Sequence, residues 1–286
     1  SLVLLIDMTQ VFKTTLLMGG LTCLFMLVGY LVGGQQGMLM ALGFASVVNV
    51  GMYWFSDSLV LKMQGAQPLG DRYPEVRKIV IDLAQREQMP MPALYYVDTP
   101  IPNAFATGRS PQHAAVAVTS GIMAILNERE LRAVLAHELG HVKNRDMLVS
   151  TIAACFAGAI SYIAQFAMFF GGGDSRENSN PIAAILAMIL APFAAMIIQM
   201  AISRSREFLA DEHSAHLLHD GDALASALTK LDNWKQAVGP VEPSPTQQAT
   251  SPLMFANMFS AAGLASLFST HPSTEARIAR LKHLQR

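Results

Sequence analysis

Residues Asn127 to Arg145 read NERELRAVLAHELGHVKNR, and His137, Glu138 and His141 within them form the pattern H-E-x-x-H. Glu128, Glu130 and Leu131 open the segment, and Val134, Leu135 and Leu139 add an apolar stripe. The stretch therefore reads as an amphipathic helix with one face in a core. Residues four apart on a helix lie one turn above each other, which directs both imidazoles at a single ion. Zn²⁺ accepts such nitrogens. Glu138 is rotated off the ligand face yet close enough to take a proton from a water at the metal, the general-base role this motif carries in metalloproteases. The same letters also arise by chance on solvated helices, and the buried stripe is what separates the two readings. Gly140 is small where another backbone can approach closely.

The 286 residues are 52% hydrophobic and only 14% charged, unlike a soluble enzyme and like a membrane protein. The net charge of -1, with no basic stripe, gives no reason to expect nucleic acid. Cys23 and Cys155 both fall in apolar stretches without a partner at ligand spacing, so no disulfide framework is implied.

The apolar residues fall in long runs. Thr14 to Gly34 carries no charge and is long enough to cross a hydrocarbon core of ~30 Å at ~1.5 Å per residue. It lacks a small-residue cleavage site and reads as a retained anchor, with Met8 a plausible native start. Gly29 and Gly33 are either a small-xxx-small contact or flexible glycines at a helix end. A turn over Gly34 to Gly37 precedes a second span, Met38 to about Val60, with Tyr53 and Trp54 at interfacial depth and Asn49 placed to bond a neighbouring helix. Lys62 and the charges that follow mark the cytoplasmic side. Tyr73 to Gln88 has the spacing of a soluble helix, and Ala93–Val97, Phe105–Thr107 and Ala115–Thr119 read as strands of a small sheet. Ala115, Val116, Ala117 and Val118 are the candidate edge strand for adding an extended substrate peptide, with plain packing as the alternative. Met147–Phe170 and Pro181 to about Ile202 read as spans three and four, leaving both termini in the cytoplasm.

Beyond the fourth span, SRSREFLADEHSAHLL places Glu207 and Asp211 four apart on a predicted helix. A catalytic zinc site takes three protein ligands, and two His plus a Glu is one standard set, so Glu207 is the candidate third ligand. Asp211, one turn on, is placed to accept a hydrogen bond from a ligating His and fix its tautomer. His213, His216 and His219 drift around the helix and do not read as a second site. Gly239–Pro252, rich in Pro, Ser, Thr and Gln, reads as a mobile loop and a candidate lid; Leu253–Phe268 reads as a docking segment. His271, before Pro272 at the start of the last helix, either stabilises an oxyanion or makes a structural hydrogen bond.

The chain resembles the HtpX-type membrane zinc metalloproteases, relatives of the CAAX prenyl protease group. IPNAFATG (Ile101–Gly108), VLAHELGHVKNRD (Val134–Asp146), SRSREFLAD (Ser203–Asp211) and HPSTEARIARL (His271–Leu281) carry the likeness. The prenyl protease relatives resemble the chain at the zinc motif but have more spans, for which this length leaves little room, and they stand as the second reading. The resemblance implies a mainly α membrane protein with about four transmembrane helices and a cytoplasmic α+β zincin-like (gluzincin) catalytic domain. Its division is 11–61 as a hairpin, 62–146 as the catalytic part, 147–202 as spans three and four, and 203–286 as a second cytoplasmic part. It implies one Zn²⁺ per chain on His137, His141 and Glu207, with Glu138 as base. It further implies a multi-pass protein of the bacterial inner membrane that cleaves misfolded or damaged membrane proteins at the cytoplasmic face. The expected partners are protein substrates and the lipid bilayer, with no nucleic acid. A scaffold with structural zinc is the rival from another class, and three ligands plus a carboxylate base speak against it. A transporter would need charges inside the spans, which they lack.

Overall fold

The structure, a computed structural model, describes residues 2–145, 147–152, 155, 204–239 and 272–284. Its longest element is α1 (Leu2–Met63), which is two helical arms joined at Gly33 (φ -135°, ψ 18°) and Gly34 (φ 60°, ψ -147°). Gly34 takes a conformation that only glycine adopts without strain, so the chain reverses there. The turn is thus shorter and earlier than Gly34–Gly37, and Gln35 onward is already helical. The arms are antiparallel neighbours: Phe25 meets Phe44 edge-on at 5.6 Å, and Asn49 Nδ2 donates to Thr22 Oγ1 at 2.8 Å. Asn49 therefore makes the inter-helix bond expected of it. Of the two candidate small residues only Gly29 makes the close approach; a Cβ there would lie 2.5 Å from Gly37 O, whereas one on Gly33 would meet nothing within 4 Å. Gly33–Met63 is the one helix among the described residues long and apolar enough to cross a membrane, with a mean hydropathy of 1.5. The expected third and fourth spans fall outside the described residues except for 147–152 and 155, which are helical.

A four-stranded sheet follows in the order β1-β2-β4-β3, with β1 Gln67–Pro68, β2 Ala93–Val97, β3 Ala104–Gly108 and β4 Ala114–Thr119. β2 and β4 run parallel, with α2 (Pro74–Arg86) before β2; β1–β2 and β3–β4 are antiparallel. β1 is two residues long with no apolar alternation, so no sequence pattern marks it. The other strands lie within a residue or so of their predicted bounds. Side chains alternate faces along each strand. Val116 and Val118 join the main core, while Ala115, Ala117 and Phe105 pack with Val60 and Leu61 from the end of α1 and with Cys155. The sheet is thus a plate between the catalytic helices and the apolar hairpin.

α3 (Ser120–Ile125) leads into α4 (Glu128–Lys143), which carries the H-E-x-x-H pattern. Asn127 and Glu130 close a reciprocal capping box at its start, and Ser226 and Lys230 of α6 (Gly221–Val238) bind the same Glu130 carboxylate. Burial by itself raises the Glu130 pKa, but the bonds from Lys230 and the Asn127 backbone outweigh it and hold the carboxyl below its ordinary 4.5. α5 (Arg204–Leu218) packs along α4, and α7 (Thr274–His283) closes on α5 and α6.

Candidate metal centre

α4 and α5 bring His137, His141 and Glu207 together: one donor atom from each lies within 4.8 Å of the other two. His137 Nε2 is 3.1 Å from His141 Nε2, and the Glu207 carboxylate oxygens are 3.8 Å from His137 Nε2 and 3.6 Å from His141 Nε2. A tetrahedral ion with bonds of ~2.1 Å needs donor separations of roughly 3.4 Å, and these three edges straddle that value. The donor set of two imidazoles and one carboxylate fits zinc. It is the only such group among the described residues.

His137 Nδ1 faces Asp211 Oδ1 at 3.0 Å, which puts the ring proton on Nδ1 and turns the Nε2 lone pair toward Glu207 and His141. Burial is the main reason its pKa falls to about 4, so the ring is a neutral donor at neutral pH. Glu138 is buried beside this cluster. Removal from water, with the Glu207 charge adding to it, pushes its pKa up to about 8 against the bond donated by the Ala106 N–H. Its neighbour Gly140 does face a close approach, but from a side chain: a Cβ there would lie 3.1 Å from the His213 ring. His213 Nε2 is also 3.4 Å from Glu87, so this histidine serves helix packing.

The residue that the sequence reading missed is Arg277. It is 2% exposed and donates from Nε (2.8 Å) and Nη2 (2.6 Å) to the two Asp211 oxygens. Its Nη1 lies 3.8 Å from Glu207 Oε2. Burial alone would raise the Asp211 pKa; the Arg277 charge and hydrogen bonds overcome this and hold it below its ordinary 3.8. A signal was present. Arg277 and the buried Leu281 are four apart and share one face of α7, so the guanidinium had to point into the core.

The proposed edge strand is overturned. Ala115–Val118 lies in β4, which is hydrogen-bonded to β2 on one side and to β3 on the other. The physical reason is in the sequence: AAVAV is apolar at every position, the pattern of a central strand buried on both faces. β3 ends the sheet, next to α4. His271, the candidate oxyanion partner, lies outside the described residues, as does nearly all of the Gly239–Pro252 candidate lid and the whole Leu253–Phe268 docking segment.

Residues 71–285 match the model of peptidase family M48. The chain belongs to that family. This M48 peptidase is 52% identical over 96% of its length to a protease HtpX homolog of Methylibium petroleiphilum, covering 97% of that relative. It is 52% identical to one of Ralstonia pickettii over 95% of the chain and 96% of the relative. It also resembles the crystal structure of S. mikatae Ste24p, with a TM-score of 0.52 at 19% identity, over 98% of this chain and 66% of the other, which shows a shared fold. With the His-His-Glu cluster and the apolar Gly33–Met63 helix, the M48 peptidase is a membrane metalloprotease.

Proposed function

We propose that the chain is a zinc endopeptidase of the bacterial inner membrane, crossing it four times, with its site on the cytoplasmic face. Its substrates are misfolded or damaged membrane proteins. The division into a hairpin at 11–61, a catalytic part at 62–146, two spans at 147–202 and a closing part at 203–286 goes with this reading. The observation that carries it is the spacing of His137, His141 and Glu207, with the Glu138 carboxyl beside them. The apolar runs at 14–34, 38–60, 147–170 and 181–202 support the four spans.

In this reading His137, His141 and Glu207 hold the metal. A bound zinc supplies Lewis acidity, activating a water and polarising the scissile carbonyl. Glu138 accepts the proton and returns it to the leaving amine. Burial holds its carboxyl above the ordinary range, and a cation held by His137, His141 and Glu207 would favour the ionised form that the base role needs. Asp211 keeps His137 in the donor tautomer, and Arg277 keeps Asp211 charged and in place. Both lie behind the ligands and position them.

The test is cleavage of an unfolded protein and of a membrane protein by the purified chain, with and without a zinc chelator. Glu138→Gln should retain zinc and lose at least ~10²-fold in turnover. Glu207→Ala should instead lose zinc. Undiminished turnover in the first, or full zinc content in the second, would overturn the corresponding role.

A further inference from the structure

Away from the metal centre, a cavity of about 520 Å³ opens between α2, α4 and the junction of α5 with α6. Lys78, Asp82 and Arg86 of α2 line it, with Arg129 and Arg132 of α4 and Asp220. Four cationic side chains of the lining face two carboxylates, and Glu128 reaches Arg132 at 3.9 Å from one turn away, which leaves one positive charge in excess. Asp82 is shared between Arg86 at 3.2 Å and Arg132, while Arg129 holds Asp220 by two bonds of 2.7 Å. Lys78 is exposed and enters none of these pairs. The local backbone adds to the imbalance. Arg129 and Arg132 sit in the first turns of α4, where the helix dipole already favours negative charge, and Asp220 caps the N-terminus of α6 at the same cavity.

We propose that this cavity binds a soluble phosphate-bearing anion of the di- or triphosphate class. Arginine forks match phosphate oxygens in pairs, and Lys78 adds a mobile point charge at the rim. The volume lies within the roughly 300–1,000 Å³ of small-molecule sites. The same chemistry is found in lipid headgroups, but the position favours a soluble source. Arg132 and Arg129 are roughly 16 and 21 Å along the α4 axis from Lys143, the end that leads into the apolar 147–170 run. A ligand there touches α4, which carries His137 and His141, and the end of α5, which carries Glu207. It therefore ties together the two helices that build the metal centre and raises their stability.

The experiment is calorimetric titration of the full-length Glu138→Gln chain in detergent with sodium tripolyphosphate, at constant ionic strength. Because the titration reads binding of tripolyphosphate and not turnover of a peptide, the result is independent of the peptidase reading. One saturable site is expected, weakened about tenfold or more by Lys78→Ala and by Arg86→Ala and unchanged by Lys282→Ala. Both test positions are exposed on α2, so the fold survives their loss, which the melting temperature without ligand verifies. Three outcomes overturn the proposal: no saturation, equal binding of sulfate, or affinity that both α2 variants retain. Phosphatidylglycerol micelles or poly-glutamate binding in a Lys78- and Arg86-dependent way, with tripolyphosphate silent, would transfer the cavity to a lipid or an acidic peptide and overturn it as well.

Discussion

Arg277 supplies the positive charge behind the three candidate ligands. It lies between two buried carboxylates, Asp211 and Glu207, and is itself withdrawn from water. Arg277→Met therefore leaves both acids without their counter-charge, at a cost of roughly 3–5 kcal/mol. It should also lower zinc affinity by roughly 10–100-fold, because Asp211 would no longer hold the His137 ring. Arg277→Lys restores charge without the fork and is expected to recover only part of either loss. Zinc content at graded chelator concentration, read beside the melting temperature, checks both. A merely structural Arg277 would lower the melting temperature in both variants and leave zinc affinity in the folded fraction unchanged.

At the scale of elements, the start of α4 and the hairpin make separate predictions. Glu130 has its pKa depressed in the fold, so the unfolded chain takes up a proton first as pH falls. The stability it contributes is complete above about 4.5 and drains away below that value. Glu130→Gln should thus flatten the melting temperature against pH in the acid range and lower it at neutral pH. A variant as acid-sensitive as the parent would show that Glu130 is not the source. In the hairpin, Gly29→Leu collides with Gly37 O and Ala41 Cβ and should lower the melting temperature in detergent, while Gly33→Ala, with open space around it, should leave it nearly unchanged. Equal behaviour of the two would mean that the arms do not pack through Gly29.

At the scale of the molecule, the catalytic sheet is fastened to the apolar segments. Thr107 of β3 and Thr151 share a hydrogen bond of 2.9 Å with both residues fully buried, and Cys155 Sγ donates to Ser56 O at 3.4 Å. At the rim, Arg109 lies over the Trp54 ring at 4.7 Å. Thr107→Val strands a buried hydroxyl on Thr151 and should cost roughly 1–3 kcal/mol. The double Thr107→Val, Thr151→Val chain should be nearly neutral, since both polar partners are gone. Additive losses in that cycle of melting curves would show that the two hydroxyls do not meet.

The sequence alone determined whatever depends on spacing along one element. His137, Glu138 and His141 lie on one helix, so their relative directions follow from 3.6 residues per turn; the same holds for Glu207 and Asp211 on α5 and for the apolar runs. It also pointed to the helix that the structure brings against α4, because a His-His pair at this spacing calls for a third donor and Glu207 was the acid at hand. What crosses between elements had to come from the tertiary structure. The place of β4 in the sheet depends on which strands flank it, and a wholly apolar strand gives no register or neighbour by itself. The 3.0 Å contact of Asp211 with His137 depends on how α5 packs along α4, and the burial of Arg277 on how α7 closes over α5, packing choices made by the core as a whole. Local periodicity fixes directions within a helix; only the assembled core fixes which charges end up out of water together.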